Sequence, residues 1–316
     1  MDVLLAVVAP HTAGDPMSSQ KWLNCRLRDV QTRLTEQGYS LSLPVISRLL
    51  RTHDYHLRAN RKELDPRQHP DRDRQFRYIV AQRQAHLEAG HPVISVDTKK
   101  KELIGNFKNA GRSWGRAPEA VNVHDFPSDA LGRAVPYGIY DVCRNVGSIY
   151  VGQSADTPRF AVDNIAAWCA EEMRWAYPQA GALLIEADGG GSNSARSRVW
   201  KALLQEQVAD RFGLPVTVCH YPPGCSKWNL VEHRLFSEVS KTWAGCPLRS
   251  FELMLQYLCE TTTETGLRVQ AYHVTTVYEI GERVSDEVIG ALNLEAHGTC
   301  PAWNYTIRPR GATLSG

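Results

Sequence analysis

The chain has 316 residues, of which 43% are hydrophobic and 22% are charged. This composition is ordinary for a folded globular protein, and the length is enough for a sizeable core and two domains. No apolar run approaches the ~20 residues that a membrane-spanning helix needs, which argues against a membrane protein. Eight cysteines without a CxxC pair favour reduced thiols in a cytoplasmic protein over a disulfide framework.

Charge is unevenly distributed along the chain. Residues 21–80 carry 13 Lys and Arg against 7 Asp and Glu, a net charge of +6, whereas the remainder carries −4. A basic N-terminal part joined to a mildly acidic remainder suggests a nucleic-acid-binding module attached to a second domain. A solvated helical surface would have the same charge, so the charge alone does not decide between the two.

The N-terminal region has the pattern of a helix-turn-helix. Apolar residues at helical spacing predict a helix over residues 22–37, which Gly38 ends, and Ser42 followed by Pro44 predicts the start of a second helix. Such pairs of short helices are typical of DNA-binding units, although helical hairpins of other function look the same. The basic residues that could contact DNA are Arg48, Arg51, Arg58, Arg61 and Lys62.

The polar segment 63–74 is broken by prolines and reads as a linker. We therefore predict a DNA-binding region with its linker over residues 1–74, and a second domain over residues 75–316. A helix over residues 75–88 is expected to open that second domain.

Strand and helix patterns alternate in the second domain. Strands are predicted over residues 93–97, 103–107, 138–142, 148–152, 183–187 and 215–219, with the first two forming a hairpin. Helices are predicted over residues 161–177, 194–212 and 229–243. Antiparallel strands followed by crossovers to parallel strands predict an α/β fold with a ribonuclease H-like mixed sheet and helices on both faces. A small all-α helix-turn-helix domain would precede it.

Asp188 stands at the end of the apolar run 183–187 and is followed by three glycines. This pattern is typical of a buried strand that presents a carboxylate at its C-terminal edge and then turns sharply. Glycines at such a turn also let backbone or substrate approach closely. The alternative is that Asp188 only caps a local turn.

Two further acids occupy matching positions. Asp97 ends the first strand, which lies beside strand 183–187 in such a sheet, and Glu232 lies on the helix after strand 215–219. Converging carboxylates repel one another unless a cation lies between them. We therefore predict that Asp97, Asp188 and Glu232 are catalytic residues and ligands of Mg²⁺ or Mn²⁺, with two ions about 4 Å apart that clamp a phosphodiester.

Other charged residues give less specific signals. Lys99, Lys100 and Lys227 could contact DNA phosphates, although a charged hairpin tip explains the first two nearly as well. Asp141 could lie on a strand near the sheet centre and contribute to the acidic site. Asp156 precedes a predicted helix, and we interpret it as a helix cap.

Four segments resemble a known family of bacterial transposases. They are VISVDTKKKELIGNFKNAGR, VNVHDFPSDALGRAVPYGIYDV, LLIEADGGGSN and CHYPPGCSKWNLVEHRLFS. They are similar to the DDE-type catalytic core of the ISAzo-thirteen insertion-sequence family, which is distantly similar to mariner-like transposases. The resemblance runs from about Gly14 to Arg308. Carried over onto this sequence, the family's triad falls on Asp97, Asp188 and Glu232.

The resemblance implies a DNA transposase that cuts and joins DNA strands at element ends by two-metal-ion phosphoryl transfer. It implies double-stranded DNA as partner, namely terminal inverted repeats and target DNA, and a homo-oligomer assembled on that DNA. It also implies a nucleoid-associated location and no membrane. Family members usually have further residues before a segment like 14–17, so we expect the DNA-binding region to be N-terminally truncated.

Two alternatives stay open. A same-fold nuclease or integrase would use the same triad but would hydrolyse DNA without joining element ends. A non-catalytic or truncated remnant would bind element ends and act as a repressor. The intact triad favours an enzyme, whereas the short N-terminal region favours the remnant.

Overall fold

The computed structural model describes residues 3–14, 21–23, 25–56, 69–112 and 119–311. The chain divides into two compact units, Met1–Leu64 and Asp65–Gly316. Within the described residues, no helix is long and apolar enough to cross a membrane. The predicted division between residues 74 and 75 stays a prediction.

The first unit is mainly helical. It contains α1 (Val3–Val8), α2 (Leu27–Glu36), α3 (Leu43–Thr52) and a strand pair, β1 (Thr12–Gly14) with β2 (Lys21–Leu23). Side chains from all three helices form one apolar cluster. Gly38 turns the chain between α2 and α3 with φ at 86°, a left-handed conformation that favours glycine. The helix predicted from residue 22 begins only at Leu27, because residues 21–23 pair as a strand.

Arg48 and Arg51 lie one turn apart on α3, and both are exposed. Ile46 and Leu50, on the other side of the same helix, are buried in the apolar cluster. The arginine pair is thus accessible to a ligand, and its role in DNA binding stays a prediction. The other three predicted DNA-binding residues of this region, Arg58, Arg61 and Lys62, lie outside the described residues.

The second unit is built on one large sheet. Its strands are β3 (Val93–Thr98), β4 (Glu102–Ile104), β5 (Gly132–Asp141), β6 (Val146–Gly152), β7 (Leu183–Ala187), β8 (Val216–His220), β9 (Arg268–Val274), β10 (Leu294–Ala296) and β11 (Asn304–Ile307). Their order is β10-β11-β8-β7-β3-β5-β6-β9, and β4 pairs with β5.

The five central strands have the ribonuclease H-like arrangement. β3, β5 and β6 are antiparallel neighbours, and β7 and β8 are added parallel to β3. The predicted α/β fold is confirmed. The sheet also extends further than predicted, with β9 parallel to β6 at one edge and the antiparallel strands β11 and β10 at the other.

Helices cover both faces of this sheet. They are α4 (Arg72–Glu88), α5 (Pro158–Trp168), α6 (Arg174–Ala176), α7 (Arg198–Leu203), α8 (Ser237–Thr242), α9 (Phe251–Cys259) and α10 (Asp286–Gly290). Three π-helical stretches adjoin them, Cys169–Met173, Leu204–Asp210 and Glu232–Phe236. One apolar cluster contains Trp168 and Trp200 from the α5 and α7 side, and a second contains Val239 and Met254 from α8 and α9.

The predicted hairpin between the first two strands is wrong. β4 pairs antiparallel with β5, where Leu103 faces Arg133, and not with β3. β3 already has β5 on one side and β7 on the other, so neither of its edges is free. The backbone N–H of Lys99 still donates to the carbonyl of Pro136, at 2.9 Å, as the chain leaves β3 along β5.

Candidate active site

Asp97 and Asp188 lie at the C-terminal ends of two adjacent parallel strands. β3 and β7 are in register from Val93 opposite Leu184 to Val96 opposite Ala187. The next residue on each strand is an aspartate, so the two carboxyl groups leave the sheet side by side. The preceding residues of both strands are buried, which fixes this register in the centre of the sheet.

The pKa values of both aspartates are raised. Burial first, and then the charge of Asp188, raise the pKa of Asp97 to about 8, with smaller contributions from Glu232 and Asp156. Burial raises the pKa of Asp188 to about 6, and the charges of Glu232 and Asp156 act in the same direction. Only one backbone N–H opposes each shift, that of Thr98 at 2.7 Å from Asp97 and that of residue 190 at 3.3 Å from Asp188. The edge therefore concentrates negative charge with little internal compensation.

Glu232 approaches this edge from the helical segment after β8. It is the first residue of the π-helical stretch Glu232–Phe236. Burial raises the pKa of Glu232, whereas the charges of Lys99 and His233 lower it. Single π-helical turns within helices are frequent at functional sites.

A buried hydrogen-bond network ties this helical segment to β3. The Oγ of Ser95 donates to the Oδ1 of Asn229 at 2.5 Å, and the Nδ2 of Asn229 donates to the carbonyl of Val96 at 2.9 Å. The backbone N–H of Val231 donates back to the Oγ of Ser95 at 2.9 Å. Ser95 and Asn229 are fully buried. The network thus fixes the position of Glu232 relative to the strand that carries the first aspartate.

Two glycines let the same helical segment lie close to the sheet. A Cβ on Gly138 of β5 would lie 2.4 Å from the ring of Phe236, and a Cβ on Gly147 of β6 would lie 2.3 Å from Leu235. Both distances are shorter than real Cβ contacts, so a larger residue at either position would force the side chain of Phe236 or Leu235 to shift from its packing against the sheet.

His220, at the end of β8, holds the backbone of Asp188. Its Nδ1 lies 2.9 Å from the carbonyl oxygen of Asp188, and its Nε2 lies 3.2 Å from the hydroxyl of Tyr305. Because a carbonyl only accepts, Nδ1 carries the proton and Nε2 accepts from Tyr305, whose oxygen accepts from the indole of Trp200 at 2.9 Å. Burial lowers the pKa of His220 to about 4, so the ring is neutral.

Asp156 is a fourth carboxylate at this edge, and its interpretation as a helix cap is wrong. Thr157 occupies the N-cap position of α5, and its side chain accepts from the backbone N–H of Phe160 at 3.1 Å. Asp156 instead accepts from the Oγ1 of Thr98 at 3.0 Å. Its charge contributes to the raised pKa values of both aspartates.

Asp141 lies at the opposite end of the central strands. It pairs with Ile94 near the start of β3, three residues or about 10 Å from Asp97 along the strand. The hydroxyl of Tyr177 donates to it at 2.7 Å, and two backbone N–H groups of the following turn donate at 3.1 Å. Asp141 is thus satisfied locally and does not join the three acids.

The lysines predicted to contact DNA differ in their surroundings. Lys99 forms an ion pair with Glu102 at 2.8 Å, and its charge lowers the pKa of Glu232. Lys100 and Lys227 are exposed. Contact of these three side chains with DNA stays a prediction.

The donor set of this edge fits a hard divalent cation. Asp97, Asp188 and Glu232 provide carboxylate oxygens, the ligands that Mg²⁺ and Mn²⁺ prefer, and no thiolate is required. A cation among them would relieve the repulsion that contributes to the raised pKa values of Asp97 and Asp188. Within the part of the chain described, no three His, Cys, Asp or Glu side chains form a closed cluster that would hold an ion as they stand. The acids therefore influence one another without forming a complete ligand sphere.

The chain is similar to transposases in two comparisons. It matches the family described as "Rhodopirellula transposase DDE domain" over residues 3–309. It also resembles solved structures titled "Mos1 transposase paired-end complex with left transposon end" (TM-score 0.44, 13% identity, 78% of this chain and 73% of that chain) and "Crystal structure of the Mos1 Strand Transfer Complex" (TM-score 0.45, 13% identity, 78% and 72%). No curated protein sequence matches the chain.

Proposed function

The chain belongs to the transposase family whose DDE domain it matches over residues 3–309, and on this premise we propose that Asp97, Asp188 and Glu232 catalyse cutting and joining of DNA at the ends of an insertion element. The observation that carries the assignment is the parallel register of β3 and β7, which places Asp97 and Asp188 side by side, together with the charge of Glu232, which acts on both of them. Membership of the family supports the class of reaction, and the three acids mark the proposed site of the reaction.

Asp97, Asp188 and Glu232 would hold two Mg²⁺ or Mn²⁺ ions. Such ions, when bound, favour deprotonation of the attacking water or 3′-hydroxyl and stabilise the leaving oxygen. Asp97 and Asp188 contribute oxygens from a rigid strand edge, whereas Glu232 contributes its oxygens from a helix fixed by Asn229. The role of the protein would thus be to bind and orient a phosphodiester beside these three carboxylates.

The proposed partner is double-stranded DNA, at the terminal inverted repeats and at the target, bound by a homo-oligomer. Residues 1–74 would be the DNA-binding region with its linker, and residues 75–316 the catalytic domain. Two observations support this division, the net charge of +6 on residues 21–80 and the exposed pair Arg48 and Arg51 on α3.

A double variant of the full chain, Arg48→Ala with Arg51→Ala, tests the role of α3. If both side chains contact phosphates, the slope of log K against log salt should fall by about 2, because each phosphate contact contributes about 0.9. Fluorescence anisotropy of a labelled duplex at several salt concentrations measures this slope. An unchanged affinity and slope would exclude α3 from the interface.

The catalytic proposal is tested with a labelled duplex that contains one end of the element and its flank, together with a target plasmid. We expect strand cleavage and joining to the plasmid in Mg²⁺ or Mn²⁺, and neither reaction in chelator. Cleavage without joining would favour the nuclease alternative. Specific binding to the end without cleavage in either metal would favour the remnant that acts as a repressor.

A further inference from the structure

A cavity of about 430 Å³ opens beside Asp188. The strand order puts β3 on one side of β7, and β8 with β11 on the other side. Among the described residues, the cavity wall includes Asp188 but neither Asp97 nor Glu232. The cavity therefore adjoins the acidic edge on the β8 side and is not the space between the three acids.

Three loops at the C-terminal edge of the sheet form its wall. They comprise residues 189–196 after β7, residues 221–226 after β8 and residues 302–303 before β11. Backbone hydrogen bonds fix two of them to the strand ends, from Tyr221 to Ala187 at 2.8 Å and from His220 to Trp303 at 2.9 Å. The loops thus continue the rigid frame of the sheet.

The loop after β8 is itself a tight turn. The backbone N–H of Cys225 donates to the carbonyl of Pro222 at 3.1 Å, and Gly224 has φ at 75°. Pro223 at the second position and a glycine with positive φ at the third are the pattern of a type II turn. Since the proline ring fixes one backbone angle, this part of the wall is preformed.

Two side chains of the wall have unused binding groups. Arg196 is exposed and forms no ion pair with any residue that the structure describes. Trp303 is half-buried, its ring packs against His69 at 4.6 Å between centroids, and its indole N–H has no acceptor among the described residues. A guanidinium binds phosphate and an indole ring stacks on a nucleobase. Asp188 is the only carboxylate of the described wall.

We propose that this cavity receives one unpaired nucleotide of the DNA substrate, adjacent to the phosphate bound at Asp188. Trp303 stacks on its base, and Arg196 binds the phosphate on its far side. The inference rests on the proposed function, because a phosphate at Asp188 brings a neighbouring nucleotide to the cavity. The volume is within the range of ligand pockets, roughly 300–1,000 Å³, whereas a base pair with both backbones would not enter it.

The test is a double-mutant cycle between the protein and the DNA. An abasic site is introduced at each position on either side of the cut, and binding is measured for the full chain and for Trp303→Leu. At one position we expect base removal to weaken binding of the parent protein by about tenfold. The same base removal should have little effect on Trp303→Leu, since the stacking partner is already absent.

The chain offers a matched control in Trp228. It is an exposed tryptophan on the adjacent 3-10 turn Ser226–Trp228 and does not line the cavity. Trp228→Leu should leave the effect of every abasic site unchanged. Trp303→Phe keeps an aromatic ring and should retain most of the coupling, which distinguishes loss of stacking from misfolding.

Additive effects of Trp303→Leu and base removal at every position would overturn the inference, as would coupling to Trp228 instead. Because the cycle is measured on binding, it does not require cleavage. A parent protein that shows the coupling but never cleaves DNA would contradict the proposed catalysis and still support the nucleotide cavity.

Discussion

Carboxylates that are buried or half-buried occur at both ends of the central strands, and they differ in their hydrogen-bond partners. At the N-terminal end of β3, Asp141 accepts from Tyr177 and from two backbone N–H groups. Glu172, nearby, accepts from Ser148 through Oε1, whereas its Oε2 lies 3.8 Å from Arg144 and has no hydrogen-bond partner among the described residues. At the C-terminal end, Asp97 and Asp188 each accept one backbone N–H among the described residues, and each faces the charge of other acids.

Burial alone does not separate these two ends, because it raises the pKa of Asp141 and Glu172 as it raises that of Asp97. The difference lies in the hydrogen-bond partners, most clearly in those of Asp141. A buried carboxylate with several donors around it is complete in the folded chain, whereas a group of carboxylates with one donor each gains its compensation from a ligand. This difference makes the C-terminal end the candidate site. It can be tested by substitution of the acids at either end of the strands.

Removal of an acid at the C-terminal end should have the largest effect. Asp188→Ala should reduce metal-dependent cleavage to background, because one side of the proposed metal site is lost. Binding to DNA should change little. Without metal the variant should be no less stable than the parent, since the change relieves carboxylate repulsion. Gel assays of cleavage and urea unfolding in chelator measure both effects, and cleavage at the parental rate would refute the assignment.

His220 allows a finer test of how that end is held. His220→Asn places an amide nitrogen near the Nδ1 position and should keep the hydrogen bond to the Asp188 carbonyl. His220→Gln places its amide near Nε2, where the amide oxygen can accept from the hydroxyl of Tyr305, and should keep only that contact. Since outer-shell partners of metal ligands contribute about 10–100-fold to affinity or activity, we expect that loss for His220→Gln alone.

The readout for this pair is the Mg²⁺ concentration that gives half-maximal cleavage. A change confined to His220→Gln would show that the ring acts through the backbone of Asp188. Equal losses in the two variants, with equal losses of stability, would mean that His220 only fills space in the core.

The N-terminal end should respond in the opposite way. Asp141→Asn can keep an amide oxygen at Oδ1 for the two backbone N–H groups, but it puts an amide NH2 donor at Oδ2, which faces the hydroxyl of Tyr177 and the guanidinium of Arg144. We expect a loss of unfolding free energy of about 1–3 kcal/mol, measured by urea denaturation. Cleavage per folded molecule and its metal dependence should be unchanged. A variant with parental stability and no cleavage would place Asp141 in the active site after all.

The sequence predicts the acids at the C-terminal end of the strands better than the residues that hold those acids in place. The apolar runs before Asp97 and Asp188 specify two buried strands, and parallel pairing puts both acids at one edge. Ser95 and Asn229 are 134 residues apart, and nothing in either local pattern specifies the partner of the other. For the same reason His220 is overlooked, although a histidine that ends an apolar strand is a recognisable signal.

Errors in the predicted fold have a related cause. The edge strands β9 and β10 are largely exposed or half-buried, so they lack the apolar alternation that predicts a strand. β4 is a strand only because β5 extends beyond β3 and offers it an edge. Asp156 is misassigned because aspartate is a common helix cap, while the adjacent Thr157 takes that position.

A last effect is expected on the pH dependence of stability in chelator. An acid whose pKa is raised in the folded state binds its proton more tightly there than in the unfolded chain, so its contribution to stability is full at low pH and is lost as pH rises through the folded pKa. For Asp97, with a pKa raised from 3.8 to about 8, the loss continues through pH 6–8 at up to about 1.4 kcal/mol per pH unit. Asp97→Asn has no such proton, so its unfolding free energy should rise relative to that of the parent from pH 6 to pH 8. Addition of Mg²⁺ should restore the stability of the parent and leave that of Asp97→Asn unchanged. Urea midpoints at pH 6, 7 and 8 measure the difference. Parallel curves for the two proteins would mean that the carboxylates at this end are compensated within the chain, as Asp141 is at the other end.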